Sequence, residues 1–245
     1  MKKFWFAGDT ETTGFEAETN SIVEIAFVDQ RGEWSHSLVN PTTPISFGAM
    51  ATHHITLDMV RNAQDLPGAL VLMGLGPTAI SHMEADGIEP ILVFHNAEFD
   101  RAFLPPHLQD LRYVCTWRCA VAMFPNAESH SNGALWYEFG LNRPMPEEAG
   151  SMPHRALFDA LMTADLMKYM LKHVEEENPN IGDPLEHLIW LSQEPILLDT
   201  VRFGKHRGMK WKEVPYDYLQ WCRRQDMDKD VLFTADFWMK EHSRG

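Results

Sequence analysis

Residues 3–9, 22–28 and 33–39 read as three successive strands crowded into the first 39 residues, with turns at Asn20-Ser21 and Gln30-Arg31-Gly32. Turns this short join antiparallel neighbours, so the chain opens as a meander of three strands. The pattern then changes. Ile91-Leu92-Val93-Phe94 is short and wholly apolar, as a strand buried on both faces would be. His95-Asn96-Ala97 leads into a helix that must end near Pro105-Pro106, because proline cannot continue it. Tyr113-Val114-Cys115 reads as a short strand, with Thr116 as the N-cap of the next helix. Residues 40–62 look irregular, 66–86 carry a weak helical pattern broken by Gly68, Gly74, Gly76 and Pro77, and 131–140 look helical. The clearest helix is 155–173, where Leu157, Leu161, Ala164, Leu166, Met167, Met170 and Leu171 recur at near-helical spacing. A meander followed by alternating strands and helices predicts an α/β fold with a mixed five-stranded sheet flanked by helices.

That helix dissolves into Glu175-Glu176-Glu177-Asn178-Pro179-Asn180. The expected division is a main domain over 1–174, a linker over 175–195 and a small basic C-terminal module over 196–245. Charge supports it. The chain is −14 overall, yet residues 196–245 carry ten basic and eight acidic side chains, net +2, leaving −16 for the rest. Such asymmetry points to different partners for the two parts. The stretch 201–212 holds Arg202, Lys205, Arg207, Lys210 and Lys212 without an acid, with Phe203 and Trp211 interleaved, and its Gly204 and Gly208 suit a hairpin. Cys115, Cys119 and Cys222 form neither a disulfide framework nor a CxxC zinc pattern. The apolar start stops at Gly8-Asp9, too short for a signal peptide, and no apolar run approaches membrane-span length. The expectation is a soluble cytoplasmic protein with no membrane partner.

The chemistry sits at the ends of these elements. Asp9 and Glu11 are two apart at the end of the first strand and so share a face. Paired carboxylates repel unless a proton or cation lies between them, and a divalent metal is the usual answer. Asp100 falls in the first turn of the helix after the buried strand, where an acid is also favoured by the helix dipole. Asp159 lies on the late helix, and His154, after Pro153, projects from the loop before it. Thr10, Thr12, Thr13 and Asn96 adjoin the acids, and Phe15 follows Gly14 in a turn where it either packs or stacks on a base. His53 and His54 lack helical metal-pair spacing, so His53 reads as a surface residue. Trp117, Trp136 and Trp190 read as core.

Taken in order, Asp-x-Glu, then Asp after a buried strand, then His-x4-Asp opening a helix, the chain resembles the DEDD superfamily of 3′-to-5′ exonucleases in its histidine-bearing branch. Pro44-Ile45-Ser46, Ala49-Met50-Ala51 and His54-Ile55-Thr56 are similar to the inter-motif segment of the exodeoxyribonuclease X subfamily. Phe203-Gly204-Lys205-His206-Arg207-Gly208 is similar to that subfamily's C-terminal box, with His206 where an aromatic is usual. The first strand, Trp5-Phe6-Ala7-Gly8, is less β-branched than the family's. The resemblance implies a ribonuclease H-like fold. It implies that Asp9, Glu11, Asp100 and Asp159 hold two Mg2+ or Mn2+ ions and that His154 is the general base. It implies nucleotide contacts from Thr10, Thr12, Thr13, Phe15, His54 and Asn96. The implied substrate is single-stranded DNA or a DNA 3′ end, with duplex DNA or RNA as alternatives. No residue names a protein partner. Two rivals stay open: an RNA-trimming enzyme of the same fold, separated by the 2′-hydroxyl, and a catalytically silent binding module.

Overall fold

The structure is a computed structural model that describes residues 1–150 and 153–243. It divides into two compact units, one of Met1–Cys119 with Asn126–Ser192, the other of Ala120–Pro125 with Gln193–Gly245.

The first unit opens with β1 (Lys2–Thr12), β2 (Ile22–Asp29) and β3 (Trp34–Leu38). Short helices follow: α1 (Phe47–His53), α2 (Leu57–Val60), α3 (Leu66–Leu72) and α4 (Pro77–Ala85). Then come β4 (Ile88–Phe94), α5 (Ala97–Phe103), α6 (Pro106–Gln109) and β5 (Tyr113–Cys115). The helices α7 (Thr116–Met123), whose residues from Ala120 on belong to the second unit, α8 (Asn132–Glu138), α9 (Ala156–Glu177) and α10 (Pro184–Gln193) complete the series. The five strands form one mixed sheet in the order β3-β2-β1-β4-β5. β1 pairs antiparallel with β2 and parallel with β4, and β4 pairs parallel with β5. The predicted meander, mixed order and five strands are all present.

The arrangement fixes where chemistry can sit. β1 and β4 run parallel at the sheet centre, so their C-terminal ends lie side by side. In such sheets ligands bind outside those ends. All eight residues of β2 are buried, and α9 lies against both β1 and β2. β1 passes through a tight place at Gly8. A Cβ there would come within 2.6 Å of both Phe27 and Phe94, whose rings meet edge-on at 5.9 Å. That close approach accounts for the departure from a β-branched first strand.

Several local expectations are corrected. Residues 40–62 hold α1 and α2 rather than irregular chain. Residues 175–195 contain the end of α9 and all of α10. In α10, Leu188 and Ile189 are buried, and Ser192 Oγ accepts the Cys115 N–H at 2.8 Å. An apolar run at 185–191 is a packing face, and its charged flanks disguised it as linker. Trp136 is core as expected, but Trp190 is 52% exposed. Residues Leu66–Ala85 have the length and mean hydropathy, 1.2, of a membrane span. They nevertheless form two helices separated by Gly74 at φ 72°. Their Leu70, Leu75 and Ile80 fill the core beside Phe27 and Phe94.

The second unit adds α11 (Tyr216–Cys222) and α12 (Lys229–His242) around Val201, Trp211, Val214, Leu219 and Ala235. Asp230 Oδ1 accepts the Ile196 N–H and Thr234 Oγ1 accepts the Leu198 N–H, tying the incoming chain to α12. Trp211 is wholly buried, so it serves this core and not a stacking surface. The expected hairpin reduces to one antiparallel bridge, Thr200 to Lys210.

Candidate active site

Four acids converge from three elements. Asp9 and Glu11 come from the end of β1, Asp100 from α5 just beyond β4, and Asp159 from the first turn of α9. Each is placed by local geometry. Asn96, at φ 72°, turns the chain from β4 into α5. The Thr10 N–H and Thr10 Oγ1 both donate to Asp100 Oδ1, at 3.0 and 2.7 Å, locking β1 to α5. The His154 N–H donates to Asp159 Oδ2 at 2.7 Å. His154 lies before α9 at φ 66° with its side chain exposed.

The electrostatics are those of crowded, buried acids. Burial, then Asp159, Asp100, Glu11 and Glu24, hold the Asp9 carboxyl well above the usual carboxylate range. Burial and the charges of Asp159, Glu24 and Asp100 push Glu11 up to about 8. Asp100 rises to about 7 by burial, against the Thr10 hydrogen bonds. Asp159 rises to about 6 by burial, against the His154 N–H. Such a set suits hard divalent cations: every acid offers oxygen, and a cation among them removes the repulsion. Ligand atoms of Glu11, His154 and Asp159 lie within 4.8 Å of one another. That group does not include Asp9 or Asp100.

A stability consequence follows for the metal-free protein. These carboxyls titrate above their unfolded values of 3.8 and 4.5, so the folded state holds more protons than the unfolded one between about pH 4 and about 8. Stability falls as pH rises through that window. The melting temperature in chelator is therefore expected to drop between pH 5 and pH 8. Mn2+ is expected to raise it more at pH 8 than at pH 5, where protons compete for the same oxygens. At a hundredfold excess over Kd, a ligand of the folded state adds about 2.7 kcal/mol. A Mn2+ shift equal at both pH values would contradict the buried-acid reading.

The remaining expected residues divide. Phe15 is 84% exposed, with its ring edge 6.5 Å from Phe99. It therefore has no core role. Thr12 Oγ1 donates to the Gly14 carbonyl. Thr13 is fully buried and shares its hydroxyl with Asn20 and Thr43. The side chains of Thr10, Thr12 and Thr13 are thus committed internally, and so are the Thr10 N–H, the Thr12 carbonyl and both backbone groups of Thr13. His54 is exposed at φ 59°, capping α1. His53 is buried, not a surface residue. Its Nε2 meets the Thr12 carbonyl at 3.2 Å and its Nδ1 accepts the Ile55 N–H at 2.9 Å. With Nδ1 accepting, Nε2 carries the proton toward Thr12, and burial lowers the histidine's pKa. His53 therefore braces the strand end carrying Glu11.

Sequence reasoning missed Glu24. Its side chain, 1% exposed, lies opposite Glu11 in the β1–β2 register. It accepts from Arg155 Nε at 3.1 Å, Arg155 Nη2 at 2.7 Å and the Ala156 N–H at 2.9 Å. Glu24 so anchors Arg155 and Ala156, the two residues that follow His154 at the start of α9. The signal was present: a single acid within the apolar run Ile22-Val23-Glu24-Ile25-Ala26-Phe27-Val28.

Residues 6–167 match the family described as Exonuclease, of RNase_T type. The chain belongs to the exonuclease family. It is a 3′-to-5′ exonuclease of the histidine-bearing DEDD type. This exonuclease is 32% identical to Exodeoxyribonuclease 10 of Escherichia coli (strain K12), over 87% of each chain. It is also 32% identical to the DNA polymerase III subunit epsilon of Treponema pallidum (strain Nichols), over 70% of this chain and 78% of the relative. Among solved structures it is similar to Exonuclease X in complex with 5′ overhanging duplex DNA. That match has a TM-score of 0.58 at 30% identity and covers 78% of this chain and 99% of the other.

Proposed function

We propose that the exonuclease hydrolyses DNA from the 3′ end, releasing 5′-nucleotides, with Asp9, Glu11, Asp100 and Asp159 holding two Mg2+ or Mn2+ ions and His154 as general base. The observation that carries this reading is the meeting of four carboxylates, three of them pushed up to about 6, 7 and 8, beside an exposed histidine. When bound, such ions supply positive charge to the attacking and leaving oxygens of an in-line displacement. The chain supplies the rest. Thr10 aims Asp100, the Asp159 carboxylate holds the His154 backbone, and the His154 ring, outside the helix, takes a proton from water. Phe15, exposed beside the acids, offers a face to the terminal base. His54 and Asn96, both exposed, line the nucleotide's place.

DNA is preferred over RNA because the relatives at 30% identity and above are named for DNA work. Cytoplasmic residence suits its three unpaired, buried cysteines. The test is degradation of 5′-labelled single-stranded DNA and RNA with Mg2+, Mn2+ or chelator. The expected result is a ladder of DNA shortened from the 3′ end only when metal is present, with RNA degraded more slowly. Equal activity in excess chelator would sink the metal assignment. RNA cleaved faster than DNA would favour the RNA-trimming alternative.

A further inference from the structure

The family match ends at residue 167, and the second unit carries a surface that the carboxylate site does not use. Its loop 201–212 is built outward. The Val201 N–H donates to the Met209 carbonyl at 2.9 Å, the Gly208 N–H to the Val201 carbonyl at 2.8 Å, and the Trp211 N–H to the Asp199 carbonyl at 2.9 Å. Gly204 and Gly208 turn at φ 62° and 89°. Val201 and Trp211 point inward as core, and Arg202, Lys205, Arg207, Lys210 and Lys212 are all exposed. Within residues 201–212 five cations are exposed and no acid occurs in the stretch, a local reversal of sign on a chain of net charge −14.

One side of this loop is aromatic. A Cβ on Gly204 would lie 2.5 Å from Tyr218 Oη, so only glycine lets the loop sit this close to α11. Lys205 Nζ stands 5.4 Å over the Tyr218 ring, the His206 ring meets Tyr218 edge-on at 4.5 Å, and Tyr218 stacks on Trp221 at 5.0 Å. Trp221 is the outermost ring of this stack and is 43% exposed. His206 thus takes an internal packing role where the family box has an aromatic.

We propose that loop 201–212 and the exposed face of Trp221 form a grip for single-stranded nucleic acid, with Lys205, Arg207 and Lys212 on phosphates and the indole against an unpaired base. The chemistry selects this occupant. Cations alone would fit any polyanion, but a flat ring beside them matches a chain that alternates phosphates with base faces. A duplex keeps its bases stacked and offers no such face, and an acidic peptide offers none. Lys210 is already engaged by Asp199 and Arg202 has an interaction of its own, so the grip rests on the other three.

The test uses the full chain in chelator, where no strand is consumed, and follows the anisotropy of a labelled oligothymidylate of about 20 nucleotides across a salt series. Each phosphate contact with a single strand contributes about 0.7 to the slope of log affinity against log salt. Replacing Lys205 and Arg207 together by alanine is expected to flatten the slope by about 1.4 and weaken binding about tenfold or more at low salt. Trp221→Ala is expected to weaken binding about tenfold with the slope unchanged, and Trp221→Phe to restore most of it. Both sets should keep wild-type melting temperatures and wild-type kcat on a dinucleotide. Unchanged affinity and slope in the Lys205/Arg207 variant would overturn the proposal. So would poly-glutamate competing as well as oligothymidylate, which would assign the loop to an acidic partner. A protein that hydrolyses nothing with metal yet shows these slopes would refute the catalytic reading and leave this one standing.

Discussion

Asp9→Ala is expected to lower DNA hydrolysis to the level of the enzyme-free control, with the fold intact. Asp9 stands at the C-terminal end of the central strand, and each of the other three acids acts on it electrostatically. On the proposed reading, removing it deletes one of the four cation ligands. Electrostatic stabilisation of developing charge is usually the largest catalytic contribution, so its loss should dominate any change in binding. The metal-free variant should melt no lower than the wild type, and higher at pH 8, since one member of a repelling set is gone. Its Mn2+-induced stabilisation should shrink in parallel. Substantial hydrolysis by Asp9→Ala, or a collapsed fold with native metal response, would remove Asp9 from the site.

His154→Ala should lower kcat by about 10²–10⁴, the usual contribution of a positioned proton acceptor. The sharper question is what else changes, because the ring lies within ligand distance of Glu11 and Asp159. A base touches the attacking water; a ligand touches the cation. A base is lost with little change in Mn2+ affinity, whereas a lost ligand weakens it markedly. Isothermal titration with Mn2+ therefore separates the roles. A large fall in kcat with intact Mn2+ affinity supports the base. A parallel fall in both would make His154 a ligand.

The sheet was legible because β2 and β4 hold apolar runs of strand length and because the acids stand where strands end. β2 and the Ile91–Phe94 part of β4 could be read directly. Packing that depends on distant partners was not legible. Nothing near His53 in the chain shows that Thr12 and Ile55 will close around its ring. Trp211 looked like a stacking residue because its sequence neighbours are cations, yet its contacts are core. Trp190 looked like core for the converse reason: its helix neighbours are apolar, but it faces outward. At the site, the acids were readable from their order along the chain together with the family resemblance that order carries. Glu24 was not, since its meaning depends on Arg155, 131 positions away.

Asp159 does two jobs with one carboxylate. Its Oδ2 accepts the His154 backbone N–H, and on the proposed reading the same group, near Glu11 and the His154 ring, holds a cation. Two events that share a group are thermodynamically linked, and the linkage is reciprocal. Whatever factor a bound cation applies to the loop's conformational balance, the loop applies to the cation's affinity. A strand end that draws His154 into place would thereby tighten the metal, so that the centre is charged most fully when there is something to cut.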